Sequence, residues 1–288
     1  MKTLLIGCNG QLGHSLADTA PENMQIIGLD LPELDITDAS AVLETCRETR
    51  PDVIVNAAAY TAVDQAESEN ALATSVNVEG PRNIAVASRD VGARLIHIST
   101  DFVFDGEAST PYKADAATNP LSVYGQTKRD GELAVLEETS GSAVVIRTSW
   151  LYSKTGGNFV KTMLRLMSER DELGVVADQF GSPTWANSLA EAVWAFVDAP
   201  QHSGIFHWAD RGETSWQEFA VAIQEEALSL GLLEKAIPIR AIKTADYPTA
   251  ATRPLYSVLD CSSTHAALNM LPAEWRTNLC QMLKGMAE

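Results

Sequence analysis

Residues 3–13 read TLLIGCNGQLG, an aliphatic run followed at once by glycines at positions 7, 10 and 13 and then by residues of helical spacing. A strand that turns this sharply into a helix needs a backbone without side chains at the turn. The same absence lets a pyrophosphate approach the amides at the helix N-terminus. Gly7, Gly10 and Gly13 are therefore candidate dinucleotide contacts; a plain strand-to-helix turn is the alternative. A second apolar run at 25–30 ends in Asp30. A carboxylate there accepts hydrogen bonds from adenosine ribose hydroxyls and repels a 2′-phosphate, which favours NADH over NADPH; a strand-end turn is the competing use. Asp35 and Ile36, in LDITD, offer a polar and an apolar group to flank an adenine, against a helix N-cap at Thr37 or Asp38.

Further aliphatic runs at 52–59, 94–100 and 143–152 alternate with helical stretches at 71–88 and 123–138. Continuous apolar strands separated by helices predict a parallel sheet covered on both faces, hence a doubly wound, Rossmann-like α/β fold. Residues 1–150 mainly form its nucleotide-binding domain. Beyond Trp150 the pattern loosens, with helices expected at 158–170, 187–198 and 216–230, so that 151–288 mainly form a smaller substrate-binding lobe interleaved with the end of the sheet. With 45% hydrophobic residues among 288, the chain can bury a full core.

A formal charge of −17 disfavours nucleic acid and anionic membrane as partners. No apolar run approaches the length of a membrane span, and none at the N-terminus makes a signal-peptide core, so a cytoplasmic protein is expected. Cys8, Cys46, Cys261 and Cys280 lie far apart, which fits reduced thiols, and the five histidines make no metal-binding pattern.

The chemical signal is Tyr124 and Lys128, four apart at the start of a helical stretch and so on one face of it. A nearby ammonium is expected to lower the phenol's pKa from about 10 and let it act as general acid to a carbonyl.

At this point the chain resembles the extended short-chain dehydrogenase/reductase superfamily, and within it the branch that reduces 4-keto deoxysugar nucleotides. The shared segments are GCNGQLG at 7–13, PDVIVNAAAYTAVDQAE at 51–67, NVEGPRNIA at 77–85, STDFVFDG at 99–106 and YGQTK at 124–128. RTSWLY at 147–152, GNFVKTML at 157–164, DQFGSPT at 178–184 and YPTAATRP at 247–254 are more specific to that branch. The resemblance implies an NADPH- or NADH-dependent enzyme that reduces the C4 ketone of dTDP-4-dehydro-L-rhamnose, for cell-surface polysaccharide. It implies Thr100, Tyr124 and Lys128 as the catalytic trio, with Lys128 also on the nicotinamide ribose. It also implies cofactor contacts at Gln11, Leu12, Ala59, Tyr60, Thr61 and Ile98. Asp101 and Trp150 would bind the sugar nucleotide, and Asn158, Lys161 and Arg253 its diphosphate; core packing for Trp150 and plain exposed charge for Lys161 and Arg253 are the alternatives. Asn77 matches an asparagine that braces the active-site helix, or is a helix cap.

Some relatives use Mg²⁺ and dimerise through acidic residues, but Ser15 and Asn187 stand here where Glu is expected. A bridging metal is therefore not supported by the residues, and a monomer or weak homodimer is expected. Related dehydratases carry Asp-Glu after the threonine, an acid and a base for elimination; here the pair reads Asp101-Phe102, which favours reduction. The other readings are a sugar-nucleotide epimerase or dehydratase, and a noncatalytic cofactor-binding regulatory subunit.

Overall fold

In the computed structural model, which describes residues 1–287, the first half is a strand-helix alternation. It comprises β1 (Lys2–Ile6), α1 (Gln11–Asp18), β2 (Gln25–Leu29), α2 (Ala39–Thr49), β3 (Val53–Asn56), α3 (Val63–Ala66), α4 (Asn70–Thr74), α5 (Gly80–Val91), β4 (Arg94–Thr100), α6 (Val123–Glu138) and β5 (Val144–Thr148). A six-stranded sheet runs β10-β5-β4-β3-β1-β2, where β10 is Gly204–His207, and every pairing is parallel. The chain order reverses between β1 and β3, so the connections leaving their carboxyl ends run to opposite faces and leave a crevice beside the glycine turn, the usual ligand site of such sheets.

Both faces of the sheet are buried, as the unbroken aliphatic runs predict. One is packed by Leu34, Ile36, Val42, Ile84 and Val135, the other by Leu12, Leu16 and the residues Leu189, Val193 and Phe196 of α8 (Ala186–Asp198). A separate core forms between α7 (Phe159–Glu169), α9 (Trp216–Ser229) and α11 (Trp275–Ala287), with Met163, Phe219, Ile223 and Leu279 at its centre. The C-terminal part thus returns to the main sheet through α8 and β10 before it completes its own core.

Two elements differ from expectation. The run at 143–152 is not one strand: β5 stops at Thr148, Trp150 takes φ +46°, and Leu151–Tyr152 (β6) pairs with Thr184–Trp185 (β9) in another ladder. The left-handed turn at Trp150 swings the chain out of the sheet. The helix expected at 71–88 is α4 and α5 joined by a π-helical turn at Ser75–Glu79, and Pro81 falls in the first turn of α5, where its missing N–H costs least.

Candidate active site

The glycine turn fits a dinucleotide pyrophosphate by its geometry. Gly7 has φ +84°, and a Cβ on Gly13 would sit 2.2 Å from the Gly7 carbonyl oxygen, so no side chain can stand between β1 and α1. Gly10 is the N-cap of α1 and brings no side chain to its free amides, which leaves them for an anion. Leu12 turns inward into the core, whereas Gln11 accepts hydrogen bonds from Ser153 (3.1 Å) and Asn158 (2.9 Å) across the crevice. Asp30, just past the end of β2, accepts the Asn9 N–H of the glycine turn at 3.0 Å and the Leu31 N–H at 2.8 Å. Ala59 and Tyr60 are half-buried and Thr61 is exposed after β3; the Tyr60 hydroxyl donates to Glu69 at 2.6 Å.

Asp35 and Ile36 lie in the loop between β2 and α2. Asp35 is exposed and folds its carboxylate back onto the Thr37 N–H and hydroxyl, while the Ile36 side chain is 6% exposed and fills the space over Gly80. The neighbouring cap is Asp38, which accepts from Ser40 and Ala41 at the start of α2.

The chemical residues converge at the carboxyl end of β4. Thr100 is its last residue, and its hydroxyl donates to Asp101 Oδ1 at 3.0 Å while accepting the Phe102 N–H at 3.3 Å. Tyr124 lies in the first turn of α6, capped by Ser122, with Phe102 edge-on to its ring at 5.6 Å; its phenol lies beside the Thr100 hydroxyl. Lys128, one turn on and 2% exposed, donates to the Ile98 carbonyl at 2.7 Å.

The phenol corrects one expectation. Burial pushes the Tyr124 pKa up to about 12, and the Asp101 charge adds to the rise. It is not lowered by Lys128, whose ammonium is turned toward the backbone of β4 and is itself brought down to about 8 by burial, with Glu132 opposing. Tyr124 is a firmly protonated phenol, suited to giving a proton up only when an oxyanion forms beside it.

Asn77 sits in the π-helical turn, so the cap reading falls away. The turn aims its amide at three groups: Oδ1 accepts the Tyr60 N–H at 2.9 Å, and Nδ2 donates to the Tyr60 carbonyl at 3.1 Å and the Thr127 hydroxyl at 3.2 Å. It links the loop after β3 to the helix that carries Tyr124 and Lys128.

Beyond Phe102 opens a cavity of about 500 Å³ whose lining includes Asp64, Trp150, Phe159, Trp216, Tyr247 and Arg253. Trp150 stacks on Trp216, centroids 3.5 Å apart and planes within 7°. Arg253 is not a free exposed charge: its fork grips Asp64 at 2.7 and 3.0 Å and holds that carboxyl below the usual range. Asn158 caps α7 through the Lys161 N–H and spends its amide on Gln11 and Ser153, while Lys161 is half-buried with its ammonium 3.3 Å from the Lys154 carbonyl.

Sequence reading missed what stands behind the trio. Glu132 accepts from Ser99, the residue before Thr100, and takes Arg147 of β5 in a buried fork at 2.9 and 2.7 Å. Its spacing four after Lys128 was a visible signal, but Arg147 meets it only through the pairing of Ser99 with Arg147 across the sheet. Trp216 carried no signal at all. Among the described residues no cluster of three or more His, Cys, Asp or Glu is arranged to hold a metal ion.

The profile of the family described as RmlD substrate binding domain matches residues 1–288. The chain is 43% identical to a dTDP-4-dehydrorhamnose reductase of Aggregatibacter actinomycetemcomitans, over 96% of this chain and 97% of that one. A crystal structure of such a reductase from Clostridium acetobutylicum superposes with TM-score 0.94 at 38% identity, covering 100% of both chains. Another, from Bacillus anthracis in complex with NADP, gives 0.93 at 38% identity over 98% of each chain.

Proposed function

Since the chain belongs to the RmlD substrate binding domain family, we propose that it reduces the C4 ketone of dTDP-4-dehydro-L-rhamnose to the alcohol of dTDP-L-rhamnose, with NADPH or NADH as reductant. The observation that carries this reading is a neutral phenol, Tyr124, raised to about 12 and set beside the Thr100 hydroxyl next to an aromatic-lined cavity. Reducing a ketone requires a donor that stays protonated until negative charge develops on oxygen. Elimination requires a base beside an acid, and Phe102 stands where the second carboxylate would be.

A reduced nicotinamide dinucleotide, when bound, supplies hydride. The chain's own residues do the rest. Gly7, Gly10, Gly13 and the α1 amides receive the pyrophosphate, Asp30 the adenosine ribose, and Gln11, Ala59, Tyr60, Thr61 and Ile98 border the same crevice. Lys128 holds the nicotinamide ribose and adds positive charge beneath the site. Thr100 and Tyr124 present two donors to the ketone oxygen, and Tyr124 transfers its proton there as the C–H bond forms. Trp150 packs on the sugar, and Arg253, Lys161 and Asn158 face the diphosphate, Arg253 by exchanging Asp64 for a phosphate oxygen. Residues 1–150 thus mainly serve the cofactor and 151–288 mainly the sugar nucleotide. We place this work in the cytoplasm, in a monomer or weak homodimer, in keeping with four free cysteines.

Replacing Tyr124 by Phe removes the proton donor and little else. The expected result is a loss in kcat of about 10²–10⁴-fold, with NADPH binding by calorimetry preserved; an undiminished kcat removes Tyr124 from the mechanism.

A further inference from the structure

The Thr100 hydroxyl has one proton, and in the arrangement described above that proton is spent. It points at Asp101 Oδ1, 3.0 Å away, while one lone pair accepts the Phe102 N–H. A threonine in that state has nothing to donate to a ketone. The hydroxyl becomes a donor to substrate only if the contact with Asp101 reverses, so that the carboxyl carries the proton and Thr100 accepts it.

The surroundings of Asp101 favour the reversal. The residue is 1% exposed, and its Oδ2 is buried without a hydrogen-bond partner. The groups acting on it are the hydroxyls of Ser257, from the C-terminal segment, and Thr100, with the backbone N–H groups of Asp101 and Phe102; none is a cation. Tyr124, from α6, is the titratable group that feels its charge. A buried carboxylate with an open oxygen and no counter-ion is costly, whereas a carboxylic acid there is not. A negative charge beside the phenol would also oppose the oxyanion that Tyr124 and Thr100 are arranged to stabilise.

We propose that Asp101 is a positioning residue that works as a neutral carboxylic acid, donating to Thr100 so that the Thr100 proton is free for the substrate ketone. This rests on the reductase reading above. No proton leaves Asp101 in the reaction: Tyr124 supplies the transferred proton, and Asp101 only fixes the direction of the Thr100 hydroxyl. Burial pushes the Asp101 pKa up to about 6, against the opposing hydroxyls, so the neutral form persists well above the ordinary carboxylate range.

The test is the pH profile of kcat with dTDP-4-dehydro-L-rhamnose for the wild type, Asp101→Asn and Asp101→Ala. An asparagine amide donates to Thr100 at every pH, while alanine cannot. The wild type is expected to lose activity about tenfold per pH unit above the ionisation of Asp101. Asp101→Asn should keep kcat within about tenfold of wild type at pH 6 and lose that alkaline fall, and Asp101→Ala should be down about 10²-fold throughout. An unchanged alkaline fall in Asp101→Asn, or an Asn variant as poor as the Ala variant, overturns the proposal. A carbon-13 titration of aspartate-labelled protein, with Asp101→Asn for assignment, reads the same group without turnover. A carboxyl titrating near pH 6 supports the neutral acid, and one titrating near the ordinary value overturns it. Wild-type protein that does not turn over the sugar nucleotide counts against the reductase reading, while the titration still decides the state of Asp101.

Discussion

At the level of single residues the fold uses carboxylates in three different ways, and environment decides which. Asp30 sits half-buried at the strand end with backbone N–H groups on both oxygens. Asp64 is held by the Arg253 fork, and Asp101 is buried with an open oxygen. Asp30 is expected to set the cofactor preference, because its charge meets a ribose hydroxyl favourably and a 2′-phosphate unfavourably. Replacing Asp30 by Ala should raise the ratio of kcat/KM for NADPH over that for NADH by about tenfold, the worth of one lost contact and one relieved repulsion; an unmoved ratio assigns the choice to other groups. The glycines, Asp30 and the tyrosine-lysine pair were legible in the sequence because each is a residue type tied to a local geometry. The burial of Ile36 was not readable, because its neighbour across space, Gly80, is 44 positions away, and no local pattern reports that contact.

At the level of elements, β4, β5 and α6 are fastened around one buried ion pair. Glu132 of α6 takes Arg147 of β5 in a fork, and the Ser99 hydroxyl of β4 joins it; both charged side chains are within 3% of full burial. The Arg147 guanidinium also lies 5.1 Å over the Phe104 ring. Removing one partner leaves the other charged and alone in the interior, so Arg147→Met should cost about 3–5 kcal/mol of stability, and Glu132→Gln added to it should recover part of that loss. Denaturant unfolding of the two variants checks this; a double variant less stable than the single contradicts it. The spans of α6 to α9 were readable from apolar spacing. The break in the strand at Trp150 and the π-helical turn around Asn77 were not, because both answer to tertiary demands: one swings Trp150 out of the sheet, the other aims an amide at Tyr60 and Thr127.

At the level of the whole molecule, polar contacts join the two halves across the crevice. Gln11 meets Ser153 and Asn158 beside the glycine turn, and Asp64 meets Arg253 and the Ala251 N–H across the cavity. The second of these contacts lies in the lining of the aromatic cavity, which Phe102 joins to the Tyr124 ring. The measurement that tests the central claim most directly is the absorbance of NADPH and of NADH with purified protein, with and without dTDP-4-dehydro-L-rhamnose. Reduced cofactor is expected to be lost only when the sugar nucleotide is present, one equivalent per dTDP-L-rhamnose formed. No loss with that substrate, or conversion of the sugar nucleotide without added reductant, would contradict it.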